Sequence, residues 1–250
     1  MLKRVLFLLF LTSNLFAGDL LDNWAPGKTE TMTYEIKTIV PRETINYNNV
    51  VITRPADNKD ILSVKQTLDI SNQGIKIVSE EIYAFKDLRL SSSVNHFFMP
   101  PVAVEKLGTD SLIVKANRKG DTLFITTNSD KVPPGSMPFT NNMTTTTGSQ
   151  LFARNMDFTI GKNHKYSYVN LLRVSGQSFQ MMEVTDSIVS IEKITTPLGT
   201  FDCYKVLNTV PGALGYSYYT TDSRHLPVLV ELLYPETKEK VMTLTLQKYE

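Results

Sequence analysis

The amino-acid sequence predicts an all-β protein built from antiparallel strands, roughly a dozen of them. Three observations carry that reading. Apolar and polar residues alternate with a period of two along most of the chain, hairpin-type turn residues separate these runs, and no stretch shows a long helical period. The 250 residues suit one large β domain, because such sheets often run ~200–250 residues as a single unit.

Residues 1–17 stand apart. Lys3 and Arg4 precede the apolar run Val5–Leu11, Thr12-Ser13-Asn14 dilutes it, and Leu15-Phe16-Ala17 leads to Gly18. A charged flank, a short greasy centre and a small residue at the cut describe a secretory signal peptide. The run is shorter than the ~20 residues that span a bilayer. The expectation is export to the periplasm or cell envelope, with residues 18–250 as one soluble β domain. Cleavage moves the formal side-chain charge from +1 to −1. Without a basic surplus, attraction to nucleic-acid phosphates is not expected. No later segment reads as a membrane helix. Most alternating runs are shorter than the ~9–11 residues of membrane-barrel strands, so a spanning barrel is not expected either.

Met32, Tyr34 and Ile36 alternate with Thr33, Glu35 and Lys37, so one strand face is buried. Leu62, Val64, Leu68 and Ile70 form the next such face, which Gln66 interrupts once. Asn72-Gln73-Gly74 turns the chain into Ile75 and Ile77. Phe97 to Val102 is an apolar run read as core. Leu112 and Val114 pair through Asn117–Asp121 with Leu123 and Ile125, Gly120 supplying the positive φ of the turn. Val132-Pro133-Pro134-Gly135-Ser136-Met137-Pro138 is expected to be irregular, because proline lacks a backbone donor. With the threonine-rich tract that follows, 130–148 reads as one long loop, either a lid or plain surface. Gln150 to Asn155 fits a single helical turn.

Tyr166 and Tyr168 open a strand toward Leu172, Gly176 closes it, and Phe179 to Val184 returns. Ile188 to Ile194 turns at Thr196–Gly199 into Phe201 to Val206. Three closing strands follow: Leu214 to Thr221, the alternating run Leu226, Val228, Val230 and Leu232, and Met242, Leu244 and Leu246.

Catalytic patterns are missing. His96, His164 and His225 share no metal-binding frame, and no G-x-S-x-G elbow is present. Asp222, Ser223 and His225 supply triad residue types, but one short turn does not provide converging directions. Cys203, the one cysteine, reads as a small buried hydrophobe. Neither an enzyme, nor a cofactor, nor a metal site is expected. What remains is aromatic content. Tyr166, Tyr168, Tyr216 and Tyr218 are candidate ligand-binding residues, since tyrosine joins an apolar ring to a polar tip. They suit ordinary cross-strand packing better still.

The stretch from Ile194 to Val206, with its Thr-Pro-Leu-Gly turn, resembles the signature of an exported bacterial family, domain of unknown function 3108. The tyrosine strand, the turn at Asp222–His225, Leu226-Pro227-Val228 and the closing strand Val241–Leu246 resemble it too, so the match covers roughly 157–250. The resemblance implies a curved antiparallel sheet, an open or half barrel, and no established activity. Together these readings point to an exported, non-catalytic protein that binds or carries a hydrophobic or amphipathic ligand such as a lipid. The alternative is an envelope assembly factor whose strand edges dock a protein partner.

Overall fold

The computed structural model describes residues 24–40, 43–70, 73–145, 147–171 and 179–250. The signal segment 1–17, Asn72, Leu172 and Gly176 lie outside the described residues.

The fold is one curved sheet of fifteen strands, more than the dozen expected. The first meander comprises β1 (Thr29–Thr38), β2 (Thr44–Thr53), β3 (Ile61–Ile70), β4 (Ile75–Ala84), β5 (Leu90–Phe98), β6 (Ser111–Lys119), β7 (Thr122–Thr127) and β8 (Gly135–Pro138). The second comprises β9 (Met143–Thr145), β10 (Asn163–Asn170), β11 (Gln180–Thr196), β12 (Gly199–Val210), β13 (Ala213–Thr220), β14 (Pro227–Leu233) and β15 (Lys240–Tyr249). The spatial order is β8-β7-β6-β5-β4-β3-β2-β1-β15-β14-β13-β12-β11-β10-β9. The first and last strands therefore meet antiparallel in the middle of the sheet, with Tyr34 opposite Leu246 and Ile36 opposite Leu244. Every strand pair is antiparallel except β9 with β10.

A sheet this wide cannot stay flat, because the right-handed twist of each strand accumulates. It curls until its outer edges, β8 and β9, are separated by only residues 139–142, a link that spans at most about 18 Å. The two edges are not hydrogen-bonded to each other, so the barrel stays open along this seam.

The concave face is filled. Met32, Tyr34, Val50, Leu62, Val64, Tyr83, Leu112, Val228 and Leu246 are buried there in one continuous core. After β9 the chain turns inward, and α2 (Ser149–Ala153) with the residues that follow plugs the concavity. Leu151, Phe152, Ala153, Arg154 and Met156 are all buried, and Phe152 meets Tyr83 edge-on at 6.3 Å. A second helix, α1 (Pro101–Leu107), caps the end between β5 and β6 and stops at Gly108 in the left-handed conformation.

Three expectations need correction. Residues 130–148 are not one loop, because Gly135–Pro138 is a strand paired to β7. β8 is an edge strand, so only one side of its backbone needs donors, and proline is tolerated there. The run from Phe97 to Val102 is not uniformly core: Phe97 and Met99 are buried, whereas Phe98 and Val102 are exposed because strand alternation and then α1 turn them outward. Finally, β1 to β4 are ten residues each, not shorter than membrane-barrel strands. Their outward faces nevertheless carry Glu35, Lys37, Lys65, Asp69, Lys76 and Glu80 rather than an apolar band. No described helix is long and apolar enough to cross a membrane.

Candidate functional site

The four predicted tyrosines do not converge. Tyr166 and Tyr168 on β10 are buried with Met182, Val184, Val210 and Ala213 in a cluster of their own. The Tyr168 hydroxyl donates to Met182 Sδ at 3.1 Å, and burial pushes its pKa up to about 12. Tyr218 lies in the main core and donates to Glu231 at 3.2 Å. Tyr216 is half-buried beneath Lys205, whose Nζ stands 4.5 Å from the ring centre. β11 and β12 separate the first pair from the second. None of the three cavities described below is lined by any of the four.

The turn at Asp222–His225 is structural. Asp222 is held by Arg224 at 2.5 Å, while His225 points away and donates from Nδ1 to the Arg154 carbonyl at 3.0 Å. Burial lowers the His225 pKa, and its ring lies tilted by 40° against Phe158, with centroids 4.3 Å apart. No group of three or more His, Cys, Asp or Glu side chains gathers to hold a metal among the described residues. Burial pushes the Cys203 thiol up to about 12, which removes nucleophilic character.

The interior carries an unexpected polar stripe across β2 to β5. Gln66 donates to Asn48 at 3.0 Å, Ser79 to Asn95 at 2.6 Å, Asn95 to Ser93 at 2.6 Å, and Ser93 to Glu81 at 3.0 Å. Tyr83 and Thr145 also donate to the Glu81 carboxylate. Glu81 is fully buried, and desolvation raises its pKa despite these donors. Strand register explains the stripe: Gln66 faces Ser79, Ser79 faces Asn95 and Glu81 faces Ser93 on adjacent strands. Beside the stripe lies a cavity of about 20 Å³, bordered by Gln66, Ser79, Glu81, Asn95, Thr147 and Leu171 among others. That is room for one water, not for a lipid.

The larger openings lie on the seam. A slot of about 260 Å³ is lined by Ile125, Pro133, Pro134, Gly135, Ser136, Met137 and Phe179. Ile125 forms its buried floor from β7, β8 and the residues before it form one wall, and Phe179 reaches across from the chain entering β11. A Cβ built on Gly135 would stand 3.9 Å from the Phe179 ring, so the two sides are at van der Waals reach. Farther along the seam, a polar basin of about 380 Å³ is lined by Arg89, Asp121, Thr140, Asn141 and Asn142. Arg89 and Arg118 both donate to Asp121, at 3.0 and 3.2 Å.

Composition sets 130–148 apart but reads as a loop, and Phe179 reads only as the start of a strand. The signal available was the pair of prolines followed by glycine. What sequence does not provide is the curl of the sheet, which brings residues more than forty positions apart to one slot.

No family model and no curated protein matches the sequence. Among solved structures, the chain is similar to a β-barrel-like protein of domain of unknown function 1849 from Brucella abortus. The identity is 9%, the match covers 90% of this chain and 98% of that one, and the TM-score is 0.54. That likeness shows a shared β-barrel-like fold. A DUF1089 family protein from Pseudomonas aeruginosa matches at 10% identity over 88% and 95% of the two chains, with a TM-score of 0.40. A LolA superfamily protein from Nitrosomonas europaea matches at 14% over 94% and 93%, with a TM-score of 0.29. Superpositions this loose carry no argument.

Proposed function

We propose that this is an exported, non-catalytic β protein that binds an amphipathic ligand along its open seam, with the ligand's apolar part in the slot between β8 and Phe179. The observation that carries the proposal is the slot itself: about 260 Å³, walled largely by Ile125, Pro133, Pro134, Met137 and Phe179. Ligand sites are concave, mostly apolar and usually ~300–1,000 Å³, so this slot suits one narrow chain. Among the described residues the interior cavity beside Gln66, Ser79 and Glu81 does not compete, because it is water-sized. The exported-family resemblance of residues 157–250 is in keeping with this reading.

The alternative, an added strand from a protein partner, has less support at the seam. β8 is four residues long and flanked by Pro133 and Pro134, and β9 is three residues long. Short edges and proline are devices that discourage strand addition.

Titration with decanol, a neutral single-chain probe, followed by calorimetry and amide chemical shifts tests the reading. Decanol is expected to bind and to shift the amides of β8 and Phe179, and Met137→Asp is expected to weaken it about tenfold or more by placing a charge in the slot. No binding, or unchanged binding to Met137→Asp, would overturn the proposal.

A further inference from the structure

The slot and the polar basin lie along one continuous stretch of chain. Residues 133–137 border the first and residues 140–142 border the second. Met137 and Thr140 are at most about 11 Å apart along the chain. A largely apolar slot with a polar basin a few residues farther along the same chain matches an amphiphile whose headgroup directly follows its chain.

The charge around the basin selects the headgroup. Two turns meet there, one between β4 and β5 and one between β6 and β7. The first carries Lys86, Asp87 and Arg89, while Arg118 and Lys119 end β6 and Asp121 opens the way into β7. The two hairpin ends thus carry four cations and two carboxylates, of which Arg89 and Asp121 line the basin itself. The seam side does not cancel the surplus, because residues 132–153 contain no charged side chain. Asp121 already bridges both guanidiniums through Oδ1 and Asp87 lies 4.0 Å from Arg89 Nε, yet each guanidinium has five donors, and the Arg89 side chain is 33% exposed where it lines the basin. Thr140, Asn141 and Asn142 add exposed neutral side chains that hydrogen-bond to oxygen.

From this juxtaposition we infer that the seam selects a single-chain amphiphile with an anionic headgroup, a carboxylate or phosphate ester, whose oxygens pair with Arg89 while the chain lies in the Pro133–Phe179 slot. The inference rests on the seam being the ligand site, and the test separates the two. Three probes share a ten-carbon chain: decanoate, decanol and decyltrimethylammonium. At neutral pH and low salt, decanoate is expected to bind about five- to tenfold more tightly than decanol, the scale of one charge-assisted hydrogen bond. The cationic probe is expected to bind weakest. Raising salt from about 20 to 200 mM should weaken decanoate and leave decanol unchanged. Arg89→Gln should remove the preference for decanoate over decanol while decanol binding persists, which also shows that the variant is folded. Equal binding of decanoate and decanol to the native protein, or an intact preference in a folded Arg89→Gln variant, would overturn the headgroup assignment and leave the slot standing. Failure of all three probes would overturn both.

Discussion

At the scale of the residue, Gly148 decides whether the plug seats. It precedes α2 and lies so close to the sheet wall that a Cβ would overlap the Tyr83 hydroxyl, with Tyr83 Cζ at 2.6 Å and Thr144 Oγ1 at 2.7 Å. Its φ is −68°, so the requirement is close approach and not a left-handed backbone. The Tyr83 side it would displace is rigid, because Tyr83 is fully buried and bonded to Glu81 and Thr145. Gly148→Ala is therefore expected to destabilise the protein by about 1–3 kcal/mol through overpacking. The double variant Gly148→Ala, Tyr83→Leu should recover part of that loss by removing the phenol from the contact. Denaturant unfolding of the single and double variants measures both, and a Gly148→Ala variant as stable as the native protein would show that the plug does not press on this wall.

At the scale of the element, the plug is tied to the sheet by one buried ion pair. Arg154, just past α2, donates from Nη1 to Glu30 of β1 at 2.7 Å, and both side chains are sealed from solvent. Arg154 Nε donates to the Arg224 carbonyl at 2.8 Å, and the Tyr249 hydroxyl of β15 donates to Glu30 at 3.0 Å. Burial alone would raise the Glu30 pKa, but the charge and hydrogen bonds of Arg154 outweigh it and hold it below the usual carboxylate value. Arg154→Met should cost about 3–5 kcal/mol, because it strands a buried carboxylate, and Glu30→Gln on top of it should restore much of the loss. A double variant no better than the single in urea unfolding would contradict this account. Neither partner was legible as a pair in the sequence, since they lie 124 residues apart. What was legible follows from local rules. The alternation in β1 and β3 and the turns at Gly120 and Gly199 are written in neighbouring residues. Gln66 read as a flaw in an apolar face, whereas its meaning depends on Ser79 and Asn95, which register alone brings onto one row. The same limit applies to the candidate site. Export and aromatic content point to a ligand, but the four tyrosines lie on strands that do not bring them to one cavity. The slot needs Phe179 set against Gly135, and only the closing curl supplies that approach.

At the scale of the whole molecule, the pairing of β1 with β15 joins the two meanders in the middle of the open sheet, so each depends on the other and on the plug packed against them. Stability should then respond as a unit to the ionisation of a fully buried acid, Glu81. Its neighbours Tyr83, Ser93, Thr145 and the Gly148 amide are all neutral, and burial also keeps the Tyr83 phenol protonated. Without an opposing cation, desolvation raises the Glu81 pKa above its value in the unfolded chain. The folded protein thus holds this proton more tightly than the unfolded one. The resulting stabilisation is complete below the unfolded carboxyl value of about 4.3 and is lost as pH rises through the higher folded value. Glu81→Gln cannot ionise and lacks this dependence. The stability of the native protein relative to Glu81→Gln should therefore fall as pH climbs above about 4.3, and level off only once the raised folded value is passed. Thermal unfolding of both proteins across that range measures the difference, in which the other titrating groups cancel. Parallel curves would mean that Glu81 stays ionised inside the sheet, with its hydroxyl and amide donors fully offsetting the loss of water.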